Sequence, residues 1–118
     1  MAGTVAITEV SHGSVKKITF AWTSDSGAAD ATTTEAYSGK LLAVTTDPDA
    51  TAPDDNYDVE VQDADGDDLL LGAGANRDTL NTEFIKEADL GAVAESALTL
   101  AVTNAGDAKL GEVHVWLR

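Results

Sequence analysis

Val15-Lys16-Lys17-Ile18-Thr19-Phe20-Ala21-Trp22-Thr23-Ser24 is the stretch on which the fold turns. Its even positions carry Ile18, Phe20 and Trp22, while Lys17, Thr19 and Thr23 stand between and beside them. Successive side chains of a β-strand point to opposite faces, so this parity puts three large apolar groups on one face and a polar set on the other. Aromatic and β-branched residues also suit a pleated, half-buried surface.

The same parity recurs on either side of this segment. Leu98, Leu100 and Val102 oppose Thr99, Ala101 and Thr103, and Val113, Val115 and Leu117 oppose Glu112, His114 and Arg118. Asn104-Ala105-Gly106-Asp107 joins these two runs with turn formers, which predicts a β-hairpin. Tyr57, Val59 and Val61 alternate with Asp58, Glu60 and Gln62. The turn formers Asp63-Ala64-Asp65-Gly66-Asp67 then lead into Leu69-Leu70-Leu71, predicting a second hairpin. Val5 and Ile7 open a first strand ending at Ser11-His12-Gly13-Ser14, and residues 41–46 form another that closes at Asp47-Pro48. Two stretches lack the pattern: residues 25–34, small and polar, and residues 72–96, with a short helix expected near 83–89. Both read as long excursions where partner contacts would sit. The expectation is an all-β chain, an antiparallel β-sandwich of about seven strands, jelly-roll-like or immunoglobulin-like, in a single domain over residues 1–118.

Composition narrows the classes of function. Twenty-one acidic against seven basic residues give a formal net charge of -14, which repels phosphate backbones and anionic lipid surfaces, so neither nucleic acid nor membrane is an expected partner. With no cysteine, disulfides, thiolate nucleophiles and Cys-type zinc sites are ruled out. Met1-Ala2-Gly3-Thr4-Val5 lacks the basic and apolar regions of a secretory leader, and no apolar run approaches the roughly 20 residues of a membrane span. A small domain of this kind gains stability from neighbouring subunits, which makes a homo-oligomer the expected state.

No catalytic motif emerges, and the chain reads as a non-enzyme without a cofactor. Asp63-Ala64-Asp65-Gly66-Asp67-Asp68 is too short in spacing for an EF-hand, because Gly66 falls at the fourth place and Gly74 where the bidentate Glu belongs. It reads as a solvated turn. Asp47, Asp49, Asp54 and Asp55 flank Pro48 and Pro53 in a loop and need no metal. His12 and His114 share no local motif with other ligands, so no metal site is expected. Ser11, Ser14, Ser24, Ser26, Ser38 and Ser96 sit in no nucleophile elbow. Gly72-Ala73-Gly74-Ala75-Asn76-Arg77 lacks the Lys-Ser/Thr ending of a P-loop and the three-glycine dinucleotide fingerprint, so its role reads as conformational. Nothing singles out a carboxylate pair for glycoside hydrolysis. Trp22 belongs to an apolar face and to the core, whereas Trp116 falls on the face opposite Val115 and Leu117, where it becomes a contact anchor if no second layer covers it.

Four segments together resemble a small family of structural proteins from tailed bacteriophages. They are residues 14–25, Ala52-Pro53-Asp54-Asp55-Asn56-Tyr57-Asp58-Val59, Gly72-Ala73-Gly74-Ala75-Asn76-Arg77-Asp78 and residues 98–106. The resemblance implies a virion protein made in the host cytoplasm and located on the capsid surface. There it would act as a head decoration or cement protein that binds the major capsid protein or other virion proteins and stabilises the shell. A tail, neck or fibre component is its nearest competitor. From a different class comes a non-catalytic carbohydrate- or cell-surface-binding module, which an exposed aromatic platform would favour. A hydrolase would need a pocket with converging titratable groups. Candidate partner contacts are Trp116 and Arg77.

Overall fold

The computed structural model describes residues 3–118, so Met1 and Ala2, the head of the leader reading, lie outside the described residues. The decisive stretch forms β2 (Val15–Thr23), joined through Gly13-Ser14 to β1 (Thr4–His12). Antiparallel strands then stack in the order β1, β2, β9 (Leu110–Leu117), β4 (Tyr37–Pro48) and β6 (Glu83–Lys86). β7 (Ala92–Ser96) follows β6 along β4 after a one-turn 3-10 segment, Glu87–Asp89. Lys40 Nζ closes that interruption, donating to the carbonyls of Glu87 at 2.9 Å and Leu90 at 2.6 Å. A second sheet packs across the first in the order β3 (Ala29–Thr32), β8 (Thr99–Thr103) and β5 (Asp58–Gln62). The chain is an all-β antiparallel sandwich.

The core lies between the sheets and is built by the parity read from the sequence. Ile18, Phe20 and Trp22 of β2 and Val113, Val115 and Leu117 of β9 face Val59 and Val61 of β5 and Leu100 and Val102 of β8. A bulge in β4 between Leu41 and Ala43 lets both Leu41 and Val44 point inward, three residues apart. Trp22 and Tyr57 meet at 5.8 Å between ring centroids, tilted by 50°, within the range of favourable aromatic pairs.

Several expectations need correction. Residues 98–103 and 110–117 do not form a hairpin, because β8 lies in the small sheet and β9 in the large one. Asn104, Gly106 and Ala108 all have positive φ, and this double reversal lifts the chain from one sheet to the other. The arch is held by Ser24 Oγ donating to Gly106 O at 2.6 Å and by Ala105 N donating to Gly27 O at 3.0 Å. The second hairpin is reduced to one arm: after β5 the chain doubles back, and Leu69 N donates to Val61 O at 2.7 Å. Residues 69–71 then run into turns while Leu69 and Leu70 bury their side chains. The two excursions contain β3, β6 and β7, giving nine strands among the described residues. In place of a helix near 83–89 stand β6 and the single 3-10 turn. Asp47 lies in β4 and not in a loop.

Gly72-Ala73-Gly74-Ala75 has a packing role. A Cβ on Gly74 would stand 2.0 Å from Val59 O, so this loop lies directly on β5, where Val59 N donates to Gly74 O at 2.8 Å.

Tyr57 and Thr46 are neighbours in the core, and neither hydroxyl has a well-formed hydrogen bond. Burial is the main cause that pushes the Tyr57 phenol from 10.0 up to about 12. A phenol with a raised folded value binds its proton more tightly in the folded state. Its contribution to stability is therefore complete below pH 10 and lost as pH rises through about 12. At most roughly 2–3 kcal/mol is lost this way. Tyr57→Phe should match the parent at neutral pH, since the deleted hydroxyl has no good partner, and should resist alkali better. Urea midpoints at neutral and alkaline pH check both halves, and an equal alkaline loss in the two proteins would refute the assignment to Tyr57.

Candidate functional site

The outer face of the large sheet is the side of β1, β2, β9, β4 and β6 turned away from the small sheet. Cross-strand register sets its rows: Val10, Lys17, Trp116, Ala43 and Lys86 form one, and Thr8, Thr19, His114, Thr45 and Phe84 the next. A third contains Ala6, Ala21, Glu112 and Asp47. Trp116 and Phe84 lean toward each other across β4, with ring centroids 6.5 Å apart and planes within 18°. Lys17 Nζ stands 5.3 Å from the Trp116 ring centroid, and the His114 ring lies 5.9 Å away on the other row. Thr45, flanked in register by Phe84 and His114, is 3% exposed because the rings beside it close over it.

Phe84 is 73% exposed and Val10 66%. Trp116 is half-buried, so the contact anchor expected from its parity does lie on an outer face. Phe84 was not legible as its partner, because β6 is a four-residue edge strand without sustained alternation. Donors and acceptors surround the rings: Lys17, Lys86, Thr19, Glu112 and Asp47 all share this face.

Arg77 is not among the residues of this face, although its ion-pair partner Glu83 directly precedes Phe84 in β6. Its side chain is only 15% exposed, its Nη1 lies 3.5 Å from Glu83 Oε1, and its Nε and Nη2 donate to Ala75 O. It braces the loop after Gly74 against Glu83 of β6.

Most other acidic candidates close turns. Asp63 Oδ1 accepts from the backbone N–H of Asp65 at 2.9 Å and of Asp67 at 3.0 Å. Asp68 accepts from Leu70 N and Gly72 N, and Asp58 from Asn76 N and from Asn104 Nδ2. Hydrogen bonds led by that from Asn81 hold the Asp78 carboxyl below its ordinary value. Glu9 is lowered chiefly by the Tyr37 hydroxyl, which donates to it at 2.6 Å and ties β1 to the start of β4. His12 lies at the exposed end of β1. The two grooves described, one beside Ile7, Glu9 and Thr33 and one beside Asp58, Glu60 and Asp68, measure about 230 and 240 Å³, below the size usual for small-molecule sites.

No protein-family profile and no curated protein matches the chain. Among solved structures it is similar to the low affinity xylan binding module CBM86 from the xylanolytic gut symbiont Roseburia intestinalis. The two are 15% identical over 99% of this chain and 89% of that one, with a TM-score of 0.34. The ligand of that module is not carried over. Among the described residues, no helix is long and apolar enough to cross a membrane.

Proposed function

We propose that this chain is a non-catalytic binding module whose ligand lies on the outer face of the large sheet, and that the ligand is a hydroxyl-rich polymer, a polysaccharide. The observation that carries this reading is the pair of the half-buried Trp116 and the exposed Phe84 on the outer sheet face. Aromatic planes offer contact area to any flat apolar surface, including the C–H faces of sugar rings. Lys17, Lys86, Thr19 and Glu112 flank the rings with donors and acceptors suited to hydroxyls. A sheet face away from both grooves favours an extended chain over a small molecule.

Electrophoresis through gels containing single soluble polysaccharides, run over neutral and acidic glycans, tests the reading. Retardation by at least one glycan is the expected result. Unaltered mobility in every gel counts against it.

A second reading, a decoration or other structural protein of a phage virion, draws on the acidic balance of twenty-one against seven residues and on the exposed Val10 and Phe84 of the same face, which a shell could bury. Co-sedimentation with decoration-free phage heads at fixed stoichiometry is its expected signature, and absence from the pellet argues against it.

A further inference from the structure

On the same outer face, Asp47 of β4 and Glu112 of β9 are direct cross-strand partners. His114 stands two residues along β9 on the same side. One ligand atom from each of the three lies within 4.8 Å of the other two, and all three residues are half-buried. Two carboxylates set opposite each other repel, and the ion pairs among the described residues bring no Lys or Arg to either of them. Asp47 Oδ1 accepts from Thr82 Oγ1 at 2.9 Å, and Glu112 Oε1 lies 3.2 Å from His114 Nε2. Ligands of a tetrahedral zinc ion with bonds of 2.0–2.2 Å are roughly 3.3–3.6 Å apart, so the Glu–His spacing of 3.2 Å falls just short of one edge of such a site.

The ring of His114 is held as a ligand would be. Thr19 Oγ1, its cross-strand neighbour on β2, lies 3.0 Å from Nδ1. In the tautomer that metal binding requires, Nδ1–H donates to Thr19 and Nε2 presents its lone pair on the side of Glu112, an outer-shell arrangement typical of metal-bound imidazole. An imidazole nitrogen selects against the hard cations Ca²⁺ and Mg²⁺ and for borderline first-row ions. The exposed turn of Asp63, Asp65 and Asp67 also gathers three carboxylates, but Asp63 already serves two backbone N–H groups there.

We infer that Asp47, Glu112 and His114 form a binding site for a borderline divalent metal ion, Zn²⁺ being the reference, with a further coordination position open toward the face that bears Trp116. The inference goes beyond the glycan reading and does not depend on it, because its test contains the metal alone.

Calorimetric titration of the full chain with Zn²⁺ should give a single saturable site, and Co²⁺ should give a visible absorption band at the same stoichiometry. His114→Gln and Glu112→Gln, each checked for native far-ultraviolet dichroism, should weaken Zn²⁺ binding at least tenfold. Thr19→Val keeps all three ligands and should weaken it roughly tenfold by releasing the ring. His12→Ala and Asp65→Asn should bind as the parent does. An absence of saturable uptake overturns the inference, as does parental affinity in His114→Gln and Glu112→Gln, or a loss confined to Asp65→Asn or His12→Ala. Should His114→Gln fail to fold, Glu112→Gln decides the matter, since its side chain is 42% exposed.

Discussion

Trp22→Ala is expected to lower the unfolding free energy by about 3–5 kcal/mol, the range for emptying a buried large aromatic site. Trp22 is 1% exposed and packs against Tyr57 in the core between the sheets, so little can collapse into the space it leaves. Against a total of about 5–15 kcal/mol for a domain, the loss removes from about a fifth to all of the stability. The side chain also explains a glycine. Gly111 is the cross-strand partner of Trp22 on β9, and a Cβ there would stand 2.6 Å from Trp22 Cζ2 and 2.9 Å from Cε2. Gly111→Ala should therefore cost about 1–3 kcal/mol through overpacking. In a Trp22→Leu background the collision with the indole is gone and only the 3.2 Å approach to Asp47 O remains, so the same substitution should cost clearly less, and the difference is a coupling energy of about 0.5–3 kcal/mol. Urea denaturation of the four proteins in the cycle measures it. Strict additivity would mean that the indole and the glycine do not constrain each other.

The Trp22–Gly111 pair marks what the sequence makes legible. β2 could be read because three large apolar groups at alternate positions have one arrangement that buries them together. β9 could be read for the same reason, and the parity of Trp116 assigned it correctly to the outer face. The partnership of strands was not legible. Asn104-Ala105-Gly106-Asp107 supplies positive-φ positions equally well to a hairpin within one sheet and to an arch between two, and only the packing of both apolar faces inward decides between them. Edge strands failed differently. β3, β6 and β7 have four or five residues each, and an edge strand can leave a large apolar group in solvent, as β6 does with Phe84. Their alternation is too short to stand out from a loop. The site inherits both limits: Glu112, His114 and Trp116 share a face by parity, while Asp47 and Phe84 join them only through the register of β4 with its two neighbours.

That register gives the outer face its sharpest expectation. Trp116→Ala removes the ring shared by the contacts with Phe84, Lys17 and His114, and affinity for a retarding glycan should fall roughly tenfold to a hundredfold, the equivalent of about 1–3 kcal/mol for one lost aromatic stacking surface. Phe84→Ala should show a smaller loss in the same direction, because it removes the outer ring and leaves Trp116 in place. Lys17→Ala should cost less again, since an exposed cation–π contact contributes only about 0.5–1 kcal/mol. The fold should respond less than it does to Trp22→Ala. The inward neighbours Val115 and Leu117 are untouched, and what is lost is a surface aromatic pair of about 0.5–1.5 kcal/mol together with the buried part of a half-buried indole, about 1–2 kcal/mol more. A large fall in affinity with a fall in Tm smaller than that of Trp22→Ala separates a contact anchor from a structural residue, because a structural tryptophan would lose both together. Parental affinity in Trp116→Ala would remove the outer face from consideration and send the search to the groove lined by Ile7, Glu9, Thr33 and Tyr37.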